Sequence, residues 1–322
     1  MEEYSFSTVP KDRTCKILRR SIFIFLQKYQ FFTSTAAILV FPFAASTLLA
    51  QSSINLPSLS SLLLTIHRRL KSLFYAAGLP VPSEFITILN WKLSQTISTS
   101  FLVLPFTMSF FLLAKGSIIQ ELRNSKRAMI STYLPLVKTQ LWNFLLILST
   151  NATFFSIIFF VFNILDALGL QNSNLLLIIS AAAAVLYSIM LANALIICNL
   201  ALILSGSEMN GGYMAILRAC TLIKGRTQTA MSLLLGINIA LAAVESLFQY
   251  RILRAYSDSE TSLSCLACEA MLITYLYTLV LVLDTIIGFV FLQSCKSSYL
   301  NYEGRCSCDI QVEKNYVNVI VS

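Results

Sequence analysis

The sequence has little charge. Asp, Glu, Lys and Arg make up 12% of its 322 residues, against about 25% in soluble domains. A chain that is 57% hydrophobic cannot cover its core with so few charged residues, which excludes a soluble globular protein. Several stretches of about 20 residues are almost uncharged, the length that a helix needs to cross a bilayer. We therefore predict an all-α polytopic membrane protein, a bundle of six transmembrane helices with amphipathic interfacial helices.

Histidine is also scarce, and the motifs of common enzymes are absent. The one histidine, His67, lies on the basic face of a predicted amphipathic helix, where contact with solvent or lipid headgroups is expected. The sequence contains no glycine-rich phosphate loop, no HExxH and no GxSxG. We therefore predict no catalytic residue, no cofactor and a non-enzymatic protein.

The eight cysteines do not fit a zinc site. Cys265-x-x-Cys268 falls in a predicted outer loop, whereas Cys306-x-Cys308 falls on the opposite side of the membrane. A four-cysteine site made from the two pairs would have to cross the bilayer, so we predict no metal. Cys265 and Cys268 form either a disulfide in an oxidising lumen or two free thiols.

The chain divides into three parts. Residues 1–30 form a basic amphipathic segment, residues 31–295 the transmembrane domain and residues 296–322 a polar tail. We place the six spans at 31–50, 93–113, 142–164, 175–204, 229–248 and 270–292.

Positive charge predicts the orientation. Most of the 23 Lys and Arg residues fall in segments that are cytoplasmic if the N-terminus is cytoplasmic, so both termini are predicted there. The same bias explains the net charge of +8 without a nucleic-acid partner. We predict an integral protein of the endomembrane system or the plasma membrane, with anionic lipid headgroups as partners.

Four polar residues fall at one depth of the predicted bundle. Asn151, Asn193, Asn238 and Asp284 each lie about 12 to 16 Å from the cytoplasmic end of their span. A charge at this depth costs about 2.5 to 3.5 kcal/mol, so Asp284 is expected to face the bundle interior and to pair with one of the asparagines. The layer is either a solute or ion site or a set of hydrogen bonds that stabilises the bundle.

A second polar face lies in the outer half of span five. Glu245 and Gln249 share one helical face and are expected to point toward protein. Glu245 and Asp284 lie at different depths, so the two carboxylates are not expected to act as a catalytic pair.

The segment after span four is short and basic. Arg218, Lys224 and Arg226 are expected to form a cytoplasmic surface for lipid headgroups, and glycines allow tight turns at both ends. The alternative is a positively charged loop that only fixes the topology.

Two stretches carry a resemblance to known sequences. LANALIICNLA at 191–201 and GGYMAILRACTLIKGR at 211–226, together with FQYR at 248–251, resemble a family of uncharacterised multi-spanning proteins of land plants. The second stretch is more distantly similar to the membrane domain of some bacterial glycerophosphodiester phosphodiesterases. The resemblance implies a membrane protein without an established activity, and no catalytic residue carries over because the catalytic domain is absent.

Two functions remain open from the sequence. The first is a non-enzymatic protein that organises lipid or partner proteins through its interfacial helices. The second is a transporter or channel for an ion or small solute that uses the polar layer around Asp284.

Overall fold

The computed structural model describes residues 10–52, 57–76, 84–124, 129–168, 173–208, 211–254 and 263–321. Within these ranges the chain is helical and contains no strand. The helices are α1 (Pro10–Gln27), α2 (Tyr29–Thr35), α3 (Phe41–Ser52), α4 (Pro57–Ala76), α5 (Glu84–Phe106), α6 (Leu112–Leu122), α7 (Met129–Ala167), α8 (Ser173–Glu208), α9 (Tyr213–Ile223), α10 (Thr227–Phe248) and α11 (Leu263–Val321).

Six helical stretches are long and apolar enough to cross a membrane, as predicted. Each overlaps one of the six predicted segments, and together they account for the high hydrophobic content. They are Tyr29–Ala50, Leu93–Leu122, Ser131–Leu165, Ile178–Glu208, Thr227–Ile252 and Ser264–Ser297.

Three of these stretches include π-helical residues. Ala36–Val40 joins α2 to α3, and Thr107–Phe111 joins α5 to α6. The two turns contact each other, and the Phe43 and Phe111 rings stack nearby with centroids 4.4 Å apart. A third π turn, Gln249–Leu253, follows α10.

The core is organised around α11. This helix packs against α1, α3, α6, α8 and α10. Val282, Ile286 and Val290 of α11 are each 2% exposed or less. They belong to a hydrophobic cluster with α2, α3, α6 and α10, and a second cluster joins α6, α8, α9, α10 and α11.

Glycines shape the connection from α8 to α9. A Cβ on Gly211 would lie 2.6 Å from the carbonyl oxygen of Pro135. The backbone of α7 therefore approaches residue 211 so closely that a side chain at this position would clash with it. Gly212 has a φ of 87°, a conformation that favours glycine, and its N–H donates to the Thr139 hydroxyl at 2.8 Å. Gly211 and Gly212 are therefore packed tightly against α7.

Several helices extend beyond the predicted apolar segments, the second and the last among them. The second segment was expected to end at residue 113, but the helix continues to Leu122 and carries Lys115 into the core. Lys115 is buried there together with its neighbours Ala114 and Ile118. At the other end of the chain, α11 continues as helix into the predicted polar tail.

Candidate functional site

Three polar side chains from three helices meet inside the apolar core. Lys115 of α6, only 4% exposed, donates from Nζ to Oδ1 of Asn199 on α8 at 2.5 Å. The amide nitrogen of Asn199 donates to both carboxylate oxygens of Asp284 on α11, at 3.2 and 3.4 Å. We call these three residues the buried polar network; Lys115 is fully buried, whereas Asn199 and Asp284 are half-buried. The network connects an amine to a carboxyl group through the side-chain amide of Asn199.

The buried polar network lies well away from the end of the bundle at which α6 and α8 terminate. Its members are about 12 to 18 Å along the helix axes from Arg123, Glu208 and Lys296, at 1.5 Å per residue. Charges inside a bundle are normally paired with each other because isolated ones are costly there. The network thus meets the expectation that Asp284 needs a partner in the interior.

Two further features surround the buried polar network. The Lys115 ammonium lies over the Phe111 ring, 4.8 Å from its centroid, a distance at which the ring attracts a cation. A cavity of about 30 Å³ opens beside Asp284 and Asn199, lined otherwise by apolar residues of α8, α10 and α11. The volume is sufficient for a water molecule, which needs roughly 10 to 15 Å³.

The three asparagines predicted to share a layer with Asp284 lie elsewhere. Asn151 accepts a hydrogen bond from the Tyr187 hydroxyl at 3.1 Å. Asn193 lines a groove between α8 and α9, and Asn238 is exposed on α10. The partner of Asp284 is therefore Asn199, one of the residues that sequence reasoning did not assign to the layer.

Lys115 was also missed by sequence reasoning. It lies just past the predicted end of the second span at residue 113, and further basic residues follow it at 123, 126, 127 and 138. A local pattern could have indicated that Lys115 is buried. Leu112, Ala114, Ile118 and Ile119 surround it with the spacing of a buried helix face. A lysine within such a face is expected to enter the core only if an acceptor meets it there.

Glu245 and Gln249, which were predicted to share one protein-facing side of span five, lie in different environments. Glu245 accepts a hydrogen bond from the hydroxyl of Tyr277 on α11 at 2.9 Å, so its side chain faces protein. Gln249 is exposed and begins the π turn. Asp284 and Glu245 thus have separate partners.

Basic side chains gather at the end of the bundle where α6 and α8 terminate. Lys28 pairs with Glu121 at 2.7 Å, and Arg123 donates to the carbonyl of Ser207. These contacts and those described next fix the neighbouring helix ends to one another. We call this region the basic end. Its anchored cations are Lys28, Arg123, Arg218, Arg226 and Lys296.

Glu208 connects two of these cations. One carboxylate oxygen accepts from Arg218 of α9, and the other accepts from Lys296 of α11 at 2.9 Å. Arg218, one of three residues predicted to bind headgroups, is therefore already paired with an acid. Glu208 holds α8, α9 and α11 together at the basic end.

Arg226 faces a different direction. Its guanidinium donates to the Ser294 carbonyl of α11 at 3.4 Å and lines a cleft of about 400 Å³ with Lys16 and Arg20 of α1. We call this the basic cleft. The three cations come from segments more than 200 residues apart in the chain, and the fold brings them together.

Lys224, the third predicted headgroup residue, is exposed. It lines the groove that also contains Asn193 and Cys220, between α8, α9 and the start of α10. Burial raises the pKa of the Cys220 thiol above its ordinary value. The structure thus distributes Arg218, Lys224 and Arg226 over three separate surfaces.

The remaining candidates lie away from the buried polar network. Cys265 and Cys268 are free, exposed thiols at the start of α11. His67 packs edge-on against Trp91, with ring centroids 5.6 Å apart. Cys306 and Cys308 lie in the part of α11 whose side chains are outside the described residues.

These features define a class: an all-helical protein with six helices apolar enough to span a membrane and a polar network in its core. The family model described as "Domain of unknown function (DUF8558)" matches residues 13–302. The chain belongs to this family. No curated protein and no solved structure shows significant similarity to it.

Proposed function

We propose that the protein is inserted in a membrane with six spans and that its basic end binds anionic lipid headgroups on the cytoplasmic side. In this proposal it organises lipid, or partner proteins through lipid, and catalyses no reaction. Both termini are cytoplasmic, and the membrane is the plasma membrane or one of the endomembranes. A land-plant origin and the distant likeness to phosphodiesterase membrane domains remain predictions from sequence.

The observation that carries this proposal is the concentration of cations at the basic end. Basic groups near a membrane surface attract anionic lipids with about 1 kcal/mol each, and the cytoplasmic side of membrane proteins is enriched in them. At the basic end the cations are also anchored, since Glu208 and Ser294 hold Arg218, Lys296 and Arg226 in place. An anchored surface loses less side-chain freedom when a headgroup binds.

Retention of lipid during purification tests this proposal. The protein is reconstituted with phosphatidylcholine and phosphatidylserine in a ratio of about four to one, then extracted and repurified, and its bound lipid is quantified by mass spectrometry. We expect enrichment of phosphatidylserine that falls as NaCl is raised from about 0.1 to 1 M, because the screening length shortens from about 10 to 3 Å.

Two variants that each remove one positive charge test where on the protein the anionic lipid binds. Lys224→Gln removes an exposed cation near the basic end, whereas Arg254→Gln removes an exposed cation beyond the far end of α10. We expect Lys224→Gln to reduce the enrichment and Arg254→Gln to leave it unchanged. Equal lipid composition in the protein and in the bulk bilayer would refute the proposed function.

A second candidate function is transport of a proton or small ion. The observation that favours it is the water-sized cavity beside Asp284, since polar groups at mid-depth often mark the site of a transporter. Liposomes containing the protein are tested with a pH-sensitive dye under an imposed gradient. Flux that exceeds protein-free liposomes and is abolished by the double variant Lys115→Met, Asp284→Asn, which is expected to keep the fold because it removes both partners, supports this candidate, and the absence of flux removes it.

A further inference from the structure

Asn238 has an exposed carboxamide in the middle of an apolar helix. It belongs to the stretch Thr227–Ile252 and lies about 16 Å along the axis from its first residue and about 21 Å from its last, at 1.5 Å per residue. In the proposed membrane insertion this position falls inside a hydrocarbon core about 30 Å thick. Lipid rather than water therefore surrounds the exposed carboxamide.

The carboxamide of Asn238 makes no hydrogen bond within the described part of the chain. Other asparagines of the apolar stretches have partners. The amide of Asn163, which is also exposed, donates to the carbonyl of Phe159 in its own helix at 2.9 Å, and Asn199 is bonded to Lys115 of a neighbouring helix. Because polar groups without partners are costly in hydrocarbon, Asn238 requires a partner from outside the chain.

The surface around Asn238 suits contact with a second helix. Leu235, Asn238, Ile239 and Ala242 are all exposed, and their spacing of i, i+3, i+4 and i+7 places them on one side of α10. Leu235 and Ile239, exposed to 62% and 61%, provide apolar surface on either side of the carboxamide. Ala242 is small, which allows another helix to approach closely. We call these four residues the α10 face.

A second copy of the chain has the group that Asn238 lacks. Copies inserted in the same orientation carry Asn238 at the same depth, so a two-fold axis along the membrane normal brings the two carboxamides together. A carboxamide is complementary to itself, because its N–H can donate to the carbonyl of the other while its own carbonyl accepts. Lipid chains offer no hydrogen-bonding group at this depth.

We propose that the protein forms a homodimer in the membrane through the α10 face, with the two Asn238 carboxamides hydrogen-bonded to each other. This inference rests on the proposed membrane insertion and does not depend on the proposed binding of anionic lipid. The α10 face lies on a different side of the helix from the buried residues Ile237, Val244 and Phe248. Dimerisation therefore leaves the core of each copy unchanged.

Single-molecule photobleaching of the full-length protein in liposomes tests the proposal. The chain carries a fluorescent protein at its C-terminus and is reconstituted at several protein-to-lipid ratios. We expect two-step bleaching in excess of random co-reconstitution, with a fraction that rises with the protein-to-lipid ratio. Asn238→Leu is expected to raise the Kd of the dimer about tenfold, which corresponds to about 1.4 kcal/mol and lies within the range of hydrogen bonds between membrane helices.

Three further variants test whether the α10 face is the interface. Asn163→Leu removes an exposed asparagine whose amide already has a partner. Ala242→Leu and Ala243→Leu add the same bulk at adjacent exposed positions, but residue 243 is turned by about 100° from residue 242, away from Asn238. We expect Ala242→Leu to weaken the dimer because it holds the helices apart, and Asn163→Leu and Ala243→Leu to leave the Kd unchanged. All four variants replace exposed residues, so their thermal unfolding midpoints in detergent are expected to match that of the unmodified protein.

The outcomes separate this inference from the proposed function. Single-step bleaching at every protein-to-lipid ratio overturns the homodimer while the binding of anionic lipid stands. Equal Kd values for Asn238→Leu and the unmodified protein, or a loss in Asn163→Leu as large as in Asn238→Leu, overturn the assignment to the α10 face. Protein that alkaline carbonate extracts from the membranes overturns the membrane insertion, and with it both proposals.

Discussion

Lys115 and Asp284 are linked through the amide of Asn199, which accepts from the ammonium and donates to the carboxylate. The amide has only one orientation that satisfies both charges, because its oxygen must face the lysine and its nitrogen the aspartate. The link therefore fixes how α6, α8 and α11 are rotated relative to one another.

Replacement of Asp284 by Asn is expected to destabilise the protein. The change leaves the buried Lys115 ammonium without a negative partner, and breaking a buried pair by removing one member costs about 3 to 5 kcal/mol. A lower midpoint of thermal unfolding in detergent, followed by tryptophan fluorescence, measures the effect. The double variant Lys115→Met, Asp284→Asn removes both charges and is expected to recover most of the loss. Asp284→Asn with an unchanged midpoint would contradict this account.

Gly211→Ala is expected to weaken the packing of the α8–α9 connection on α7. The added Cβ meets backbone atoms of Pro135, which cannot rotate away as a flexible side chain would. We expect a loss of about 1 to 3 kcal/mol, typical of overpacking. Gly236→Ala is the matched control, because a Cβ there has no neighbour within 4 Å and alanine favours helix over glycine by about 1 kcal/mol. Equal unfolding midpoints for the two variants would count against the close approach.

Single-cysteine variants test the topology. Cys220 lies on α9 near the basic end, and Cys265 lies at the start of α11. In sealed vesicles of known orientation, an impermeant maleimide is expected to label Cys265 from the lumenal or extracellular side and Cys220 from the cytoplasmic side. Labelling of both cysteines from the same side would refute the six-span arrangement.

The Cys220 thiol is expected to react slowly at neutral pH. The residue is exposed, but partial burial of its thiol raises the pKa above the ordinary value of 9.0, so the thiolate that attacks maleimide forms mainly at higher pH. In the variant that retains Cys220 alone, the labelling rate is expected to reach its midpoint above pH 9. Unfolding in detergent and urea removes the burial and is expected to lower the midpoint. A midpoint that is the same before and after unfolding would contradict the effect of burial.

The sequence predicted the number of apolar helices and the need of Asp284 for an interior partner, but it did not identify that partner. Asn193 and Asn199 are both on α8, six residues apart, which is about 600° of helix rotation and hence different faces. In a soluble helix the hydrophobic pattern would show which face is inside. For a helix that spans a membrane, as we propose for α8, lipid and core are both apolar surroundings, so the pattern indicates depth but not which face points inward.

The surroundings of the basic residues after α8 could not be predicted from the sequence either. Arg218, Lys224 and Arg226 are close in sequence and were interpreted as one surface, yet Glu208 pairs with Arg218 and α1 faces Arg226. Those neighbours come from other helices, and charge spacing along a single segment carries no information about them. The residues Lys16 and Arg20 were predicted only as part of a membrane-surface helix, because their position over Arg226 depends on the packing of α1 on α10 and α11.

The π turn Thr107–Phe111 has a consequence for the direction of Lys115. A π turn accommodates one residue more than an α-helical turn, and each residue of an α-helix advances the chain by about 100° around its axis. The turn thus rotates the residues of α6 around the helix axis relative to those of α5. This rotation decides which α6 residues point inward. With regular α-helix throughout, Lys115 would be rotated by about a quarter of a circle away from Asn199. A single inserted residue therefore places a lysine in the interior of the bundle.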